Sequence, residues 1–258
     1  MSKVCIHFLV AMVFVLVADE ALGFISATVP VPSAGVGNTF TTTPFGSFVD
    51  GMPSMRYQQI YSSPFFGAAL PEEGAMLTRI SFRMDEMFGR DFQETVENVQ
   101  INVSTTQKTP QSLSSVYSEN VGLDDAVVFS LGPLELIGDF HGSDELQFWS
   151  STINLQEPFF FYPAHGNLLL DIRIYEGWVR EDFEDPITVY YDAADSEFDG
   201  VARIWSDSVN DSVAEFSDTV GLVTLFTFRP VPEPSTLLLW GLGAVALTFL
   251  LGIKRRSR

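Results

Sequence analysis

The chain has 258 residues, and its 14 lysine and arginine residues against 33 aspartate and glutamate residues give a formal net charge of −19. A chain this acidic lacks the basic surface that displaces counterions from nucleic acid, which excludes nucleic acid as a partner. Because 46% of the residues are hydrophobic and 23 are phenylalanine, the chain has enough apolar surface for a folded core. Bulk disorder is therefore excluded as well.

The N-terminus has the parts of a secretory signal peptide, which we predict over residues 1–27. Lys3 supplies the positive charge, and Val4–Ala18 supplies the hydrophobic segment. Small residues that suit cleavage occur at Ala21-Leu22-Gly23 and at Ile25-Ser26-Ala27, and the sequence leaves both sites open. An uncleaved membrane anchor is the alternative. In both cases the secretion machinery carries the following residues across the membrane.

Residues 28–230 form the predicted folded domain. They carry 30 of the 33 acidic residues and 9 of the 14 basic residues, which is a net charge of −21. The only cysteine, Cys5, precedes this domain, which excludes a disulfide or a thiolate site within it. No linker rich in proline, serine or glycine divides residues 50–230, so one domain is favoured over two.

Two-residue alternation predicts short antiparallel strands with one buried face. Apolar side chains occupy every second position in residues 80–84, 99–103 and 168–174. Residues 28–50 are interpreted as an extended lead-in or a first edge strand, and Gly132-Pro133 as a turn. Further strands are predicted at Met55–Ser62, Val127–Leu131, Leu146–Leu155, Phe159–Tyr162, Ile187–Asp192, Val201–Ser206 and Leu222–Arg229. About ten such strands predict an all-β fold, a two-sheet antiparallel β-sandwich or jelly roll.

The C-terminus combines a proline-flanked carboxylate, an apolar segment and a basic end. Residues 231–235 read Val-Pro-Glu-Pro-Ser, and residues 236–253 contain no charged side chain. Eighteen helical residues span about 27 Å, which predicts a transmembrane helix. By the positive-inside rule, the basic tail at residues 254–258 stays cytoplasmic and residues 28–230 lie on the outer face of the membrane. The basic residues of this tail are Lys254, Arg255, Arg256 and Arg258.

This order of a Pro-Glu-Pro motif, an apolar helix and a basic end resembles a PEP-CTERM sorting domain, a domain also labelled ice-binding protein C-terminal. The resemblance covers residues 231–258 and implies recognition of Pro232, Glu233 and Pro234 by an exosortase, a membrane transpeptidase. It further implies anchoring in the inner membrane before processing, and a place at the cell surface or outside the cell afterwards. Segments of the body, such as Arg56–Tyr61, are similar to the uncharacterised β-sandwich ectodomains of such proteins.

Catalytic motifs are scarce within residues 28–230. The only histidines there are His141 and His165, and neither a Gly-x-Ser-x-Gly nor a His-Glu-x-x-His motif is present. Acidic pairs such as Asp124/Asp125 are abundant, but so many carboxylates meet the spacing of a glycosidase by chance. We therefore predict a protein without catalytic residues. The alternative is a secreted, glycosidase-like hydrolase that uses an acidic pair on the sandwich.

One acidic segment has the alternating spacing of a calcium loop. Its carboxylates are Asp195, Glu197 and Asp199. Gly200 follows at the position where calcium loops turn sharply, but Ser206 stands where a bidentate glutamate would close the site. A hairpin turn between the predicted strands Ile187–Asp192 and Val201–Ser206 is the alternative interpretation. Calcium is the only cofactor that the sequence suggests.

Aromatic side chains offer a candidate sugar platform, because rings stack on pyranose faces. Trp178 and Trp205 are the main candidates, since Trp178 follows a glycine at a strand end and Trp205 lies opposite Ile204 on its strand. Four tyrosines accompany them: Tyr57, Tyr61, Tyr190 and Tyr191. Burial in the core is the alternative for these rings. We predict a structural or adhesive protein that associates with the exopolysaccharide of a biofilm.

Overall fold

The computed structural model describes residues 23–29, 37–45, 54–140, 149–175, 188–196 and 200–231. The predicted transmembrane helix at residues 236–253 and residues 1–22 of the predicted signal peptide lie outside these described residues. Within the described residues, no helix has the length and apolarity needed to cross a membrane. Two compact units make up the chain: residues 25–228, and residues 1–24 together with 229–258.

Strands, turns and short connections make up the described residues of the first unit. The strands are β1 (Ile25–Val29), β2 (Thr39–Thr41), β3 (Met55–Tyr61), β4 (Ala75–Arg83), β5 (Phe92–Thr106), β6 (Ala126–Gly138), β7 (Trp149–Phe161), β8 (Asn167–Ile174), β9 (Tyr191–Asp195), β10 (Val201–Ser206), β11 (Phe216–Asp218), β12 (Val220–Leu222) and β13 (Thr224–Pro230). One short helix, α1 (Pro64–Gly67), follows β3, and 3₁₀ turns occupy Pro110–Ser112, Tyr117–Glu119 and Pro163–His165. The all-β prediction is confirmed.

The strands form three antiparallel sheets rather than the predicted two. A four-stranded sheet has the order β1-β13-β4-β7, and a six-stranded sheet has the order β11-β10-β3-β8-β5-β6. Side chains of these two sheets share one core, in which the Tyr61 and Phe226 rings lie 4.8 Å apart. The third sheet, β12-β9-β2, is joined to β3 by the buried amide of Gln59, which bonds the backbone of Leu222 at 3.0 and 3.2 Å.

The alternation predicted for β8 is confirmed, but both of its faces are buried. Leu168, Leu170 and Ile172 point into the shared core, whereas Leu169 and Asp171 are buried on the opposite, outer face. Residues 110–121 fold over that outer face and pack two apolar side chains on it. The half-exposed sheet expected from alternation is therefore wrong here, because a connection covers the polar side.

The prediction of a turn at Gly132-Pro133 is also wrong. Strand β6 runs through both residues, and its pairing with β5 shifts register between Val96 and Val99. Proline is tolerated at such a bulge because β6 ends the strand order of its sheet. A bulge also explains why β7 is a single strand where the sequence predicts two, Leu146–Leu155 and Phe159–Tyr162. The partner residues of β7 in β4 jump from Leu77 to Arg79, and the pairing continues on both sides of this irregularity.

The folded unit begins before residue 28, the predicted start of the domain. Strand β1 starts at Ile25 and pairs with β13, with Ile25 opposite Phe228 and Val29 opposite Thr224. Ala27 and Val29 are buried in the shared core. Residues 25–27, assigned to the signal peptide from the sequence, are therefore part of a sheet in this structure.

Candidate functional site

The structure describes only part of the predicted site residues. Trp178, Glu197 and Asp199 lie outside the described residues, as do the sorting motif at residues 232–234 and the basic tail at residues 254–258. Asp195, Trp205 and the four candidate tyrosines are described. Among the described residues, no cluster of three or more His, Cys, Asp or Glu side chains is arranged to hold a metal ion.

Asp195 ends strand β9 and is held by its neighbours. Its backbone exchanges two hydrogen bonds with the Asn38 side chain, at 2.8 and 3.1 Å, and its Oδ1 accepts a 2.7 Å bond from the Thr219 hydroxyl. The alternative hairpin is wrong, because β9 pairs with β2 and β12 whereas β10 pairs with β3 and β11. The acidic segment instead connects two sheets, and calcium binding there stays a prediction.

Trp205 is half-buried, and its ring already has partners. It packs against the shared core and stacks on Phe216 of the neighbouring strand, with ring centroids 5.2 Å apart and an interplanar angle of 22°. The Arg203 guanidinium carbon lies 4.8 Å from the ring centroid. These contacts occupy ring surface that a sugar would need, so Trp205 is a weaker platform than its position on the strand indicates.

Most of the candidate tyrosines belong to the core. Tyr57, Tyr61 and Tyr191 are fully buried, and desolvation raises the pKa of each phenol well above its usual value. Core burial, the alternative interpretation, therefore holds for these three. Tyr190 differs, because its side chain is only half-buried and contacts two exposed phenylalanines.

Phe40, Phe88 and Tyr190 form a partly exposed group that we call the aromatic cluster. The Phe40 ring centroid lies 4.9 Å from that of Phe88 and 5.0 Å from that of Tyr190, both edge to face. Phe40 and Phe88 remain 42% and 46% exposed, and the adjacent Met87 is 67% exposed. Exposed rings that touch one another are a feature of recognition surfaces rather than of scattered surface residues.

Backbone and side-chain hydrogen bonds from separate segments position the aromatic cluster. Phe40 lies opposite Asp192 in the β2–β9 pair, and the Asp85 N–H donates to the carbonyl of Tyr190 at 2.9 Å. The Asp85 carboxylate accepts the N–H groups of Met87 and Phe88, each at 3.0 Å, which fixes the turn that carries Phe88. Hydrogen bonds therefore fix the backbone that carries these rings.

A buried ion pair lies beside the cluster. The Arg83 Nε donates to Asp192, whose second oxygen accepts the Gly37 N–H at 2.8 Å. Desolvation raises the pKa of Asp192, although the Arg83 charge opposes this shift. The Arg83 guanidinium also lies 5.1 Å from the Trp149 ring centroid, and its Nη2 is buried without a hydrogen-bond partner.

A second polar group, centred on Asp171, lies on the outer face of the six-stranded sheet. The Asp171 carboxylate accepts bonds from Arg56 at 2.8 Å, Arg173 at 3.0 Å and Gln58 at 3.1 Å. Gln58 in turn accepts the Asn120 amide at 3.0 Å. Through Gln58 and Asn120, Asp171 anchors residues 110–121, which we call the covering segment, to the sheet.

The strongest acidic pair for the hydrolase alternative is Asp125 with Asp171. Desolvation raises the pKa of Asp125, and the nearby Asp171 charge adds to the shift. A raised acid beside an ionised carboxylate is the pattern of glycosidases. Asp171, however, is buried, and its Oδ2 already accepts bonds from Arg56, Arg173 and Gln58, so this carboxylate is engaged in the sheet rather than presented to a sugar. The geometry here is that of a structural network.

Sequence reasoning missed Phe40 and Phe88. Phe88 stands in the apolar stretch Met87-Phe88-Gly89 between the charged residues Glu86 and Arg90, and two consecutive large apolar residues in a turn are a signal that would have found it. Phe40 stands in a threonine-rich segment with no comparable signal. Only the pairing of β2 with β9 brings Phe40 to Tyr190.

Residues 230–258 match the family described as the PEP-CTERM protein-sorting motif. The match starts at the last residue of β13 and includes Pro232, Glu233 and Pro234, as the resemblance predicted. Such a motif implies export, anchored sorting at a membrane and processing by exosortase, a membrane enzyme. A search of curated proteins finds none that matches the chain.

Proposed function

We propose that this chain is an exported protein of the cell envelope or extracellular matrix, and that its β-sandwich body is a structural or adhesive partner of exopolysaccharide. The sorting-motif match at residues 230–258 carries the proposal. Before processing, the apolar segment at residues 236–253, predicted to be a transmembrane helix, would hold the chain in the inner membrane with the body on the periplasmic side. Exosortase then cuts near Glu233, and the body reaches the cell surface or the medium.

Support for the sorting step comes from where the motif lies along the chain. β13 ends at Pro230, and Val231 is exposed, so Pro232 follows the last strand after a single residue. Prolines on both sides of Glu233 favour an extended backbone that a protease can bind. Along the chain, the motif therefore stands between the last described strand and the predicted transmembrane segment, which is where the proposal needs a membrane enzyme to act.

Replacing Glu233 tests the sorting step. We expect Glu233→Ala to leave full-length protein in the inner membrane, because it removes the only carboxylate of the motif. Fractionation and intact mass of the chain, expressed in a host with an exosortase, measure this outcome. Glu215→Ala, an exposed glutamate outside the motif, is the matched control and should be processed like the parent protein. Normal trimming of Glu233→Ala would contradict the sorting proposal.

Support for the polysaccharide role comes from the aromatic cluster. Its phenylalanine rings stay partly exposed, and hydrogen bonds at Asp85 hold the turn that carries Phe88. Rings held in this way lose little conformational entropy when a sugar stacks on them. The body also carries a charge of −21, so stacking, rather than attraction to an anionic chain, accounts for the contact.

Binding to the polysaccharide fraction of the producing culture tests this role. With the full chain in detergent, we expect Phe40→Ala/Phe88→Ala to bind at least about fivefold more weakly, as the loss of about 1 kcal/mol of contact energy predicts. Phe160→Ala is the matched control, because Phe160 is 45% exposed on β7 but outside the cluster. Equal binding by the double variant would contradict the proposed surface.

The same samples distinguish the hydrolase alternative. Release of new reducing ends from the polysaccharide by the parent protein would support hydrolysis, and its loss in Asp125→Asn would assign it to the Asp125/Asp171 pair. Binding without release supports the structural or adhesive role. Asp125→Asn is a conservative variant for this test. A 2.9 Å bond from Asn102 holds the Asp125 carboxylate in place, and asparagine can accept the same bond.

A further inference from the structure

The pairing of β1 with β13 bears on where the N-terminal signal is removed. Two sites satisfy the need for small residues, one ending at Gly23 and one ending at Ala27. We infer that signal peptidase cuts after Gly23, so that the mature chain begins at Phe24 and keeps all of β1. This inference rests on the proposed export of the chain and adds a processing site to it.

Cleavage after Ala27 would remove most of an ordered strand. It would take three of the five residues of β1, Ile25–Val29, and with them the pairing to Phe226, Thr227 and Phe228 of β13. Ala27 is buried in the shared core, and Ile25 packs against that core. A mature chain that starts at Thr28 would lose these contacts before it ever folded.

Removal of β1 would also expose an edge. β1 ends the four-stranded sheet, so β13 would become the new edge, with the aromatic residues Phe226 and Phe228 and free backbone groups. Long, apolar edge strands are templates for aggregation. Keeping β1 paired with β13 therefore protects the exported chain from aggregation through this edge.

The Gly23 site carries no such cost. Only Phe24 stands between Gly23 and the start of β1, and both Gly23 and Phe24 are exposed. Among the described residues, no atom lies within 4 Å of a Cβ built on Gly23. At the −3 position, this site has the small Ala21, whereas the other site has the β-branched Ile25. Peptidase preference and fold therefore agree on the same bond.

The pairing of β1 with β13 also brings the two ends of the folded unit together. The chain enters this unit at Ile25 and leaves it at Phe228, and these two residues are register partners. One residue, Phe24, lies between the bond after Gly23 and Ile25, and Pro232 follows Phe228 by four residues, which is a chain length of about 14 Å at most. The strand that signal cleavage leaves intact is thus the partner of the strand that leads to the sorting motif.

The experiment reads the N-terminus of the full chain after expression in a host with signal peptidase. Amine labelling followed by mass spectrometry of the N-terminal peptide is expected to give Phe24. Gly23→Leu should abolish the cut, whereas Ala27→Val should leave the N-terminus at Phe24, because Ala27 is then inside the mature chain. A parent chain that starts at Thr28, or a cut blocked by Ala27→Val, would overturn the inference.

Failure of export is read separately from failure of the cleavage assignment. Protease added to spheroplasts digests a body that has crossed the membrane and spares one that has not. An exported chain that retains residues 1–23 overturns the cleavage site but leaves the proposed function standing. A chain that stays inside contradicts both proposals.

Discussion

Asp171 is the residue that joins the covering segment to the six-stranded sheet. Its carboxylate binds Arg56 and Arg173, and through Gln58 it reaches Asn120 on the segment. The Arg56 guanidinium lies 4.3 Å from the centroid of the Tyr117 ring, so an aromatic side chain also packs against the network. A buried carboxylate of this kind stabilises the fold only while all of its partners are present.

Removing this charge should destabilise the protein. Asp171→Asn leaves two guanidinium groups without their carboxylate, and we expect a loss of about 2–3 kcal/mol in the free energy of unfolding, less than for a fully buried pair because both arginines reach solvent. Urea denaturation of the full chain in detergent measures it. Asp195→Asn, at an exposed carboxylate with one donor, should change stability by less than about 0.5 kcal/mol. Equal stability of the two variants would count against the network.

At the scale of elements, the connection between β9 and β10 is the point where the chain changes sheets. Gly200 ends this connection with φ of +74°, and its carbonyl accepts the Ser62 N–H at 2.8 Å. A Cβ at Gly200 would overlap the Phe65 ring. Both conformation and space therefore require glycine at this position.

Substitution of Gly200 tests whether its positive φ and its closeness to Phe65 make this glycine less replaceable than others in the chain. We expect Gly200→Ala to lower the free energy of unfolding by about 1–3 kcal/mol, because alanine disfavours positive φ and must displace Phe65. Gly132→Ala is the matched control in a strand bulge, where the nearest atom to a built Cβ is the Ser130 carbonyl oxygen at 3.7 Å. It should stay within about 0.5 kcal/mol of the parent. Equal effects in thermal or urea unfolding would show that Gly200 is not special.

At the scale of the whole molecule, charge is segregated along the chain. The body carries −21, whereas the five-residue tail carries four of the 14 basic residues. Such a body is repelled by anionic lipid, while the tail is attracted to the cytoplasmic face. This segregation matches the topology proposed for the precursor, which protease treatment of spheroplasts tests.

The sequence by itself determined the sorting motif and the class of fold. Alternation placed β10 at the residues observed and β3 and β8 to within a residue or so, because period-two patterns report local backbone geometry. The sorting motif is equally local, since its parts are consecutive in the chain. Local patterns also explain the errors: Gly132-Pro133 has turn chemistry, yet at a sheet edge the same dipeptide fits a bulge.

Only the tertiary structure decided which surfaces are free. The aromatic cluster joins residues 40, 88 and 190, and the burial of the outer face at Asp171 depends on a segment some 50 residues away in sequence. β1 is recognised as part of the sheet only through its pairing with β13, at the far end of the folded unit. Such contacts form between residues distant in the chain, so no periodicity within a short window encodes them.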